Sequence, residues 1–165
     1  MSTHEHTSSA GSVHAGTLLF VTNPANDSQT VLEFACALAH KHRARLELVH
    51  VVDPGHISSM PDAQMGIQYK LESLARNLRS LSRSARAILL FGKPEHVLRE
   101  RAEDIKAILI AIALNGSATD LAQKKLAGYL ARKCHCPVLT VPHDIRAVDS
   151  QDLSIPSHPA RRLVS

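Results

Sequence analysis

The sequence predicts a three-layer, doubly wound α/β domain with a five-stranded, mainly parallel sheet. Strand-like and helix-like segments alternate along the chain, giving five strands and four helices in turn. The apolar run from Ala107 to Leu114 has the length and continuity of a strand that is buried on both faces, as strands of parallel sheets are. The chain has no internal repeat. Together these observations favour one such domain over a repeat protein or an all-helical bundle.

Each predicted element has its own signal in the residue pattern. Short apolar runs bounded by turn formers predict strands over 17–22, 46–52, 87–91, 107–114 and 136–142. Apolar residues at helical spacing predict helices over 30–42, over about 63–82, in a short segment that begins at Pro94, and from Leu121 onward. The prolines that bracket the last strand suit a strand at the edge of the sheet.

Composition limits the class of protein. At 165 residues with 44% hydrophobic residues, the chain suits one domain at 16–143, with polar, flexible tails at 1–15 and 144–165. No apolar run approaches the roughly 18 to 20 residues that cross a membrane. The net charge of +4 comes with only 3% aromatic residues, so stacking surfaces for nucleic acid are not expected.

The cysteines and histidines predict neither a disulfide framework nor a metal centre. Three cysteines are an odd number, and the polar start of the chain is unlike a secretion signal, so a reduced, cytoplasmic setting is expected. Cys36 is interpreted as a packed core thiol and His50 as a satisfied histidine of the sheet. Cys134-His135-Cys136 lacks a second ligand pair that would complete a zinc site.

No catalytic set is predicted either. The chain contains no Gly-x-Ser-x-Gly elbow, Walker loop or Gly-x-Gly-x-x-Gly motif after a strand. Binding residues are therefore sought in the loop between the 107–114 strand and its helix, because ligands bind at the carboxyl ends of parallel strands.

Several fragments resemble the universal stress protein family. They are the segment 17–54 with its closing HVVDP, FGKPEHVLRERAED at 91–104, and LARKCHCPVLTVP at 130–142. The resemblance implies an adenine nucleotide alpha hydrolase-like fold and, in one branch of the family, ATP bound at the strand ends. It also implies a homodimer that pairs the last strands through Val138, Leu139, Thr140 and Val141.

The ATP motif of that branch is degenerate here. The motif has Gly, two residues, Gly, nine residues, then Gly followed by Ser or Thr. Counted back from Cys136-Pro137, its glycines fall on Ala111, Leu114 and Lys124, and its last residue on Lys125. The acidic residue that the family has after the first strand is Asn23. Because glycine lets a backbone approach phosphates closely, these changes predict a module without the usual ATP binding.

A rebuilt anion site is the alternative. Two cations stand near a helix start, and a small Gly-Ser pair lies in the same loop. The candidate nucleotide-binding residues are Asn23, Val51, Gly116, Ser117, Lys124 and Lys125. The leading hypothesis remains a homodimeric regulatory module with no expected cofactor and an unidentified protein partner; ATP or AMP binding with slow hydrolysis is the alternative.

One further departure concerns the end of the first helix. Related chains usually have glycine there, whereas this chain has Arg43. The helix is therefore expected to end by a route other than a glycine in the left-handed conformation.

Overall fold

The computed structural model describes residues 16–23, 29–55, 61–79, 84–116, 120–146 and 149, with side chains from Met65 onward in the third of these segments. The predicted tail at 1–15, most of the predicted tail at 144–165, and Ser117 lie outside the described residues. Where the second tail is described, Ile145 packs against the core and its amide donates to the carbonyl of Pro142 at 3.2 Å.

The described residues form one five-stranded sheet in which every strand pair is parallel, in the order β3-β2-β1-β4-β5. The strands are β1 (Thr17–Val21), β2 (Arg45–Val52), β3 (Arg86–Phe91), β4 (Ala107–Ala113) and β5 (Val138–Val141). The predicted five-stranded α/β architecture is confirmed, and the sheet is wholly parallel.

Helices cover both faces of the sheet. They are α1 (Gln29–Lys41), α2 (Pro61–Leu78), α3 (Pro94–Asp104) and α4 (Asp120–Lys133). On β1, Leu18 and Phe20 belong to the core beneath α1 and α2, whereas Leu19 and Val21 belong to the core beneath α3 and α4. Alternate residues of a strand point to opposite faces, so β1 is buried on both faces and four of its five residues are apolar.

The structure corrects two of the predicted element boundaries. The second helix ends at Leu78 instead of near Ser82, and the last strand begins at Val138 instead of Cys136. Pro137 has no N–H to contribute to a ladder, and its carbonyl accepts the first bond from Ile110, at 3.0 Å. Cys134 and Cys136 therefore lie in a bend before the strand, not on it.

The first helix ends through the left-handed conformation, with arginine in the place usual for glycine. Arg43 has a φ of 54°. Its amide donates to the carbonyl of His40 at 3.1 Å, and the next amide, of Ala44, donates to Ala39 at 2.8 Å. These are the two bonds of a Schellman ending. The helix therefore ends by the common left-handed route, with Arg43 in the position that glycine usually occupies.

A buried carboxylate ties two strands and a helix together. Glu47 on β2 is 0% exposed and accepts two bonds from Arg101 of α3, at 2.8 and 2.7 Å. Arg86 at the start of β3 donates to the same carboxylate at 3.0 Å. A buried charge is tolerated only when it is paired and hydrogen-bonded in this way.

Within the described residues, no helix combines the length and apolar content needed to cross a membrane.

Candidate functional site

The strand order places the candidate site between β1 and β4. The chain runs outward from β1 to β2 and β3, then crosses back to β4 and on to β5. Adjacent strands whose connections leave in opposite directions open a crevice at their carboxyl ends, where ligands bind in α/β folds. Here that crevice is bordered by Thr22 and Asn23 after β1 and by residues 114–116 after β4.

The loop after β4 is held by a carboxylate of its own chain. One oxygen of Asp120, the first residue of α4, accepts the amide of Asn115 at 2.8 Å. The other oxygen accepts the amide of Gly116 at 2.8 Å. Free amides in the loop that precedes a helix are donors that an anionic ligand could use. In this chain the Asp120 carboxylate already accepts a hydrogen bond from both amides.

The same loop contains a glycine that its conformation requires. Gly116 has a φ of +74°, which side-chain-bearing residues rarely adopt. A Cβ at this position would lie 2.6 Å from ring atoms of His143, the second residue after β5. Leu114, 8% exposed, donates its amide to the carbonyl of Val141 at 2.8 Å. The loop is therefore packed against the end of β5.

The other border of the crevice is tied to β2. The amide of Thr22 donates to the carbonyl of Val49 at 2.8 Å, and Nδ1 of His50 lies 3.0 Å from the carbonyl of Thr22. A carbonyl oxygen can only accept, so Nδ1 carries the proton. The prediction that His50 is a satisfied histidine of the sheet is confirmed.

The predicted binding residues occupy different surroundings. Asn23 and Gly116 lie at the carboxyl ends of neighbouring strands, and Val51 is half-buried against the α3/α4 core. Lys124 and Lys125 are exposed in the second turn of α4. Only the first four amides of a helix lack an acceptor within it, so the amides of these lysines belong to the helix ladder.

The first position of the counted ATP motif lies inside a strand and not in the loop. Ala111, the first counted glycine position, lies inside β4, fully buried and paired with Phe20 and Leu139. The loop itself starts at Leu114. Asp120 and His143 were not predicted from the sequence. An acid directly before the apolar positions of a helix is a recognisable helix-start signal, whereas no sequence pattern marks His143.

Burial disfavours the thiolate form of the three cysteines. Burial and the neighbouring Glu103 raise the pKa of Cys134, while burial raises that of Cys136 to about 12 and that of Cys36 to about 11. Protonated thiols are poor nucleophiles and poor metal ligands. Cys36 is buried in the α1/α2 core, as predicted. In the part of the chain that the structure covers, no cluster of three or more His, Cys, Asp or Glu side chains could hold a metal ion.

The fold is shared with solved universal stress proteins. One from Archaeoglobus fulgidus, in complex with dAMP, is 17% identical, with a TM-score of 0.58 over 78% of this chain and 98% of that chain. Another, in complex with cAMP, is 17% identical, with a TM-score of 0.59 over 80% and 100%. A family member from Burkholderia pseudomallei is 25% identical, with a TM-score of 0.54 over 76% and 96%.

Comparison with curated proteins found no match. The model of the universal stress protein family, in contrast, matches residues 15–142. This range includes all five strands, the four helices and both borders of the crevice. The chain therefore belongs to the universal stress protein family.

Proposed function

We propose that the chain is a cytoplasmic, homodimeric regulatory or binding module of the universal stress protein type that does not bind ATP in the manner of the family's ATP-binding branch. One observation carries the proposal: the carboxylate of Asp120 accepts the amides of Asn115 and Gly116 at 2.8 Å each. In the described part of this loop, both of these amides therefore already have an acceptor.

A phosphate would have to displace this carboxylate and then remain close to it. Hydrogen bonds that involve an ionised group are roughly twice as strong as neutral ones. Two like unit charges about 4 Å apart also repel by about 1 kcal/mol even in bulk water. Competition and repulsion therefore act in the same direction, and both oppose a triphosphate at Asn115 and Gly116.

The relatives solved with dAMP and cAMP do not decide the question for this chain, since 17% identity supports the shared fold and not a shared ligand. The chain's own residues favour a silent site. Lys124 and Lys125 replace the small Gly-Ser or Gly-Thr pair of the motif, Leu114 replaces a glycine, and Asn23 replaces the acid after β1.

Calorimetric titration with ATP and with AMP tests the proposal. We expect the native chain to show no binding with a Kd tighter than about 10 μM. Asp120→Ala, which frees the two loop amides, is expected to bind more tightly than the native chain. Asp104→Ala removes an exposed carboxylate at the far end of α3 and should behave like the native chain. Micromolar binding of ATP by the native chain would overturn the proposal.

The homodimer is proposed from the position of β5. This strand is last in the sheet order and pairs with β4 on one side. The carbonyls of Pro137 and Val141 face β4, so the N–H of Val138 is directed to the other side. A second copy related by a two-fold axis would add its own β5 there, antiparallel, and continue the sheet.

The alternative is an anion-binding switch that uses Lys124 and Lys125. Their exposure on α4, close to the crevice loop, is the observation in its favour. If an anionic nucleotide binds the native chain, Lys124→Ala with Lys125→Ala should weaken that binding. Unchanged affinity in the double variant would exclude this alternative and leave the internal carboxylate as the dominant feature of the loop.

A further inference from the structure

A second cleft lies at the opposite end of the sheet from the crevice. Its volume is about 270 Å³, and it is bordered by the C-terminal part of α2 and the start of β3. The lining residues are Glu72, Ala75, Arg76, Arg79, Arg86 and Ala87. We propose that this cleft binds the phosphate group of a small anionic ligand, through the three arginines.

The first support is an excess of positive charge at Arg86. Arg101 already neutralises Glu47 through two hydrogen bonds, from Nε to one oxygen and from Nη2 to the other. Arg86 therefore adds a second cation to one carboxylate. Its side chain is 51% exposed, and its Nε and Nη2 atoms face Glu47 at 3.0 and 2.9 Å. A guanidinium has five N–H donors, so others remain for a ligand.

The second support comes from α2. Nε of Arg79 donates to the carbonyl of Ala85 at 3.2 Å, which holds the guanidinium near the start of β3. Among the described residues, its terminal nitrogens have no acceptor. Glu72, the acidic residue of the lining, accepts a hydrogen bond from Gln68 at 3.1 Å. Within the described segments, no carboxylate lies in ion-pair range of Arg76 or Arg79.

The charge and shape of the cleft select the ligand class. Phosphate carries up to two negative charges and offers several oxygens, and arginine forks bind such groups through paired hydrogen bonds. The C-terminal end of α2 contributes a partial negative charge, equivalent to about half an elementary charge. Glu72 in the lining adds one negative charge, and the two effects together remain smaller than the charge of three guanidinium groups. The small volume favours a phosphate with a short substituent over a nucleoside triphosphate.

Titration of the full chain with inorganic phosphate, followed by backbone amide shifts at constant ionic strength, tests this site. We expect saturable shifts around Arg79 and Arg86. Arg76→Gln with Arg79→Gln should weaken phosphate binding by about tenfold or more. Arg132→Gln with Lys133→Gln removes two exposed cations at the end of α4 and should leave it unchanged. Thermal melting checks that both double variants are folded.

Two results would overturn the proposal. One is the absence of saturable shifts in the native chain, and the other is equal weakening in both double variants, which would indicate a general charge effect. Glycerol 3-phosphate serves as the second probe. Tighter binding than inorganic phosphate would assign the site to phosphomonoesters, and equal binding would assign it to free phosphate. Asp120→Ala should not alter either titration, so this test is independent of the crevice.

Discussion

Three residues of different type hold the loop after β4, and one of them, His143, is distant in sequence. Asp120 binds the two loop amides, Gly116 supplies the left-handed turn, and His143 packs over that glycine. Each contact favours a loop closed on itself. A ligand that needs these amides must therefore compete with several local interactions at once, not with solvent.

Replacing the loop glycine tests the turn directly. Gly116→Ala should lower the free energy of unfolding by roughly 1–2 kcal/mol, because a Cβ disfavours the left-handed conformation. The contact with His143 adds to this cost, although an exposed ring can move aside. Urea unfolding of Gly116→Ala, of His143→Ala and of the double variant separates the two effects.

In the double variant the backbone cost remains and the steric contact is gone. We therefore expect it to be less destabilised than the sum of the two single variants. A Gly116→Ala chain as stable as the native chain would show that the turn does not require glycine.

At the level of single residues, the sequence predicted which residues lie at the strand ends but not the contacts that hold the loop after β4. Asn23 and Gly116 could be placed at strand ends because strand ends follow from apolar runs and turn formers. The contacts of Asp120 with Asn115 and Gly116 depend on the path of the intervening loop. Local sequence patterns carry no information about such a path.

At the scale of elements, two helices end on a basic residue in the left-handed conformation. Arg43 follows α1 with a φ of 54°, and Lys106 follows α3 with a φ of 52°. Lys106 leads directly into β4, and only Ala44 separates Arg43 from β2. The strained residue is the point at which the chain turns from a helix back into the sheet, so its conformation is set by the packing of both neighbours.

Relieving that strain should stabilise the chain. We expect the free energy of unfolding of Arg43→Gly to exceed that of Arg43→Ala by about 1 kcal/mol, since the left-handed cost of roughly 1–2 kcal/mol disappears and glycine adds some entropy to the unfolded chain. Arg43→Ala keeps the strain and loses the same guanidinium. The difference between the two variants in urea unfolding isolates the backbone effect. If the two variants were equally stable, φ at this position would not limit stability.

The Glu47 cluster shows what element-level patterns cannot supply. A charged residue in LELVHVV gives no indication that its carboxylate is fully buried. Its partners, Arg86 and Arg101, stand 39 and 54 residues away along the chain. Only the packing of β3 and α3 around β2 brings them together. Apolar periodicity, by contrast, is local, which is why the strands and helices could be predicted.

At the scale of the whole molecule, alternation of elements was sufficient for the fold class. Right-handed crossovers between parallel strands leave few ways to arrange five alternating strands and helices. The observed order β3-β2-β1-β4-β5 is one of them. Placing β5 at the edge followed from its flanking prolines, Pro137 and Pro142. Pairing of β5 with a second copy could not be derived from alternation alone and remains a prediction.

Sedimentation equilibrium tests the predicted dimer. The native chain should have twice the mass of one chain, and Val138→Pro should have the mass of one, because proline removes an N–H directed away from β4. Since Val138 is also buried, circular dichroism must confirm that the variant is folded. A native monomer would contradict the predicted dimer, and a folded Val138→Pro dimer would place β5 outside the interface.

The central claim, that an internal carboxylate keeps phosphate out of the crevice loop, is tested most directly by the two amides concerned. In a titration with ATP up to about 1 mM, followed by ¹H–¹⁵N spectra, a site of millimolar affinity would be half occupied. We predict that the Asn115 and Gly116 amides keep their chemical shifts in the native chain and move in Asp120→Ala. Saturable shifts of both amides in the native chain would contradict the account.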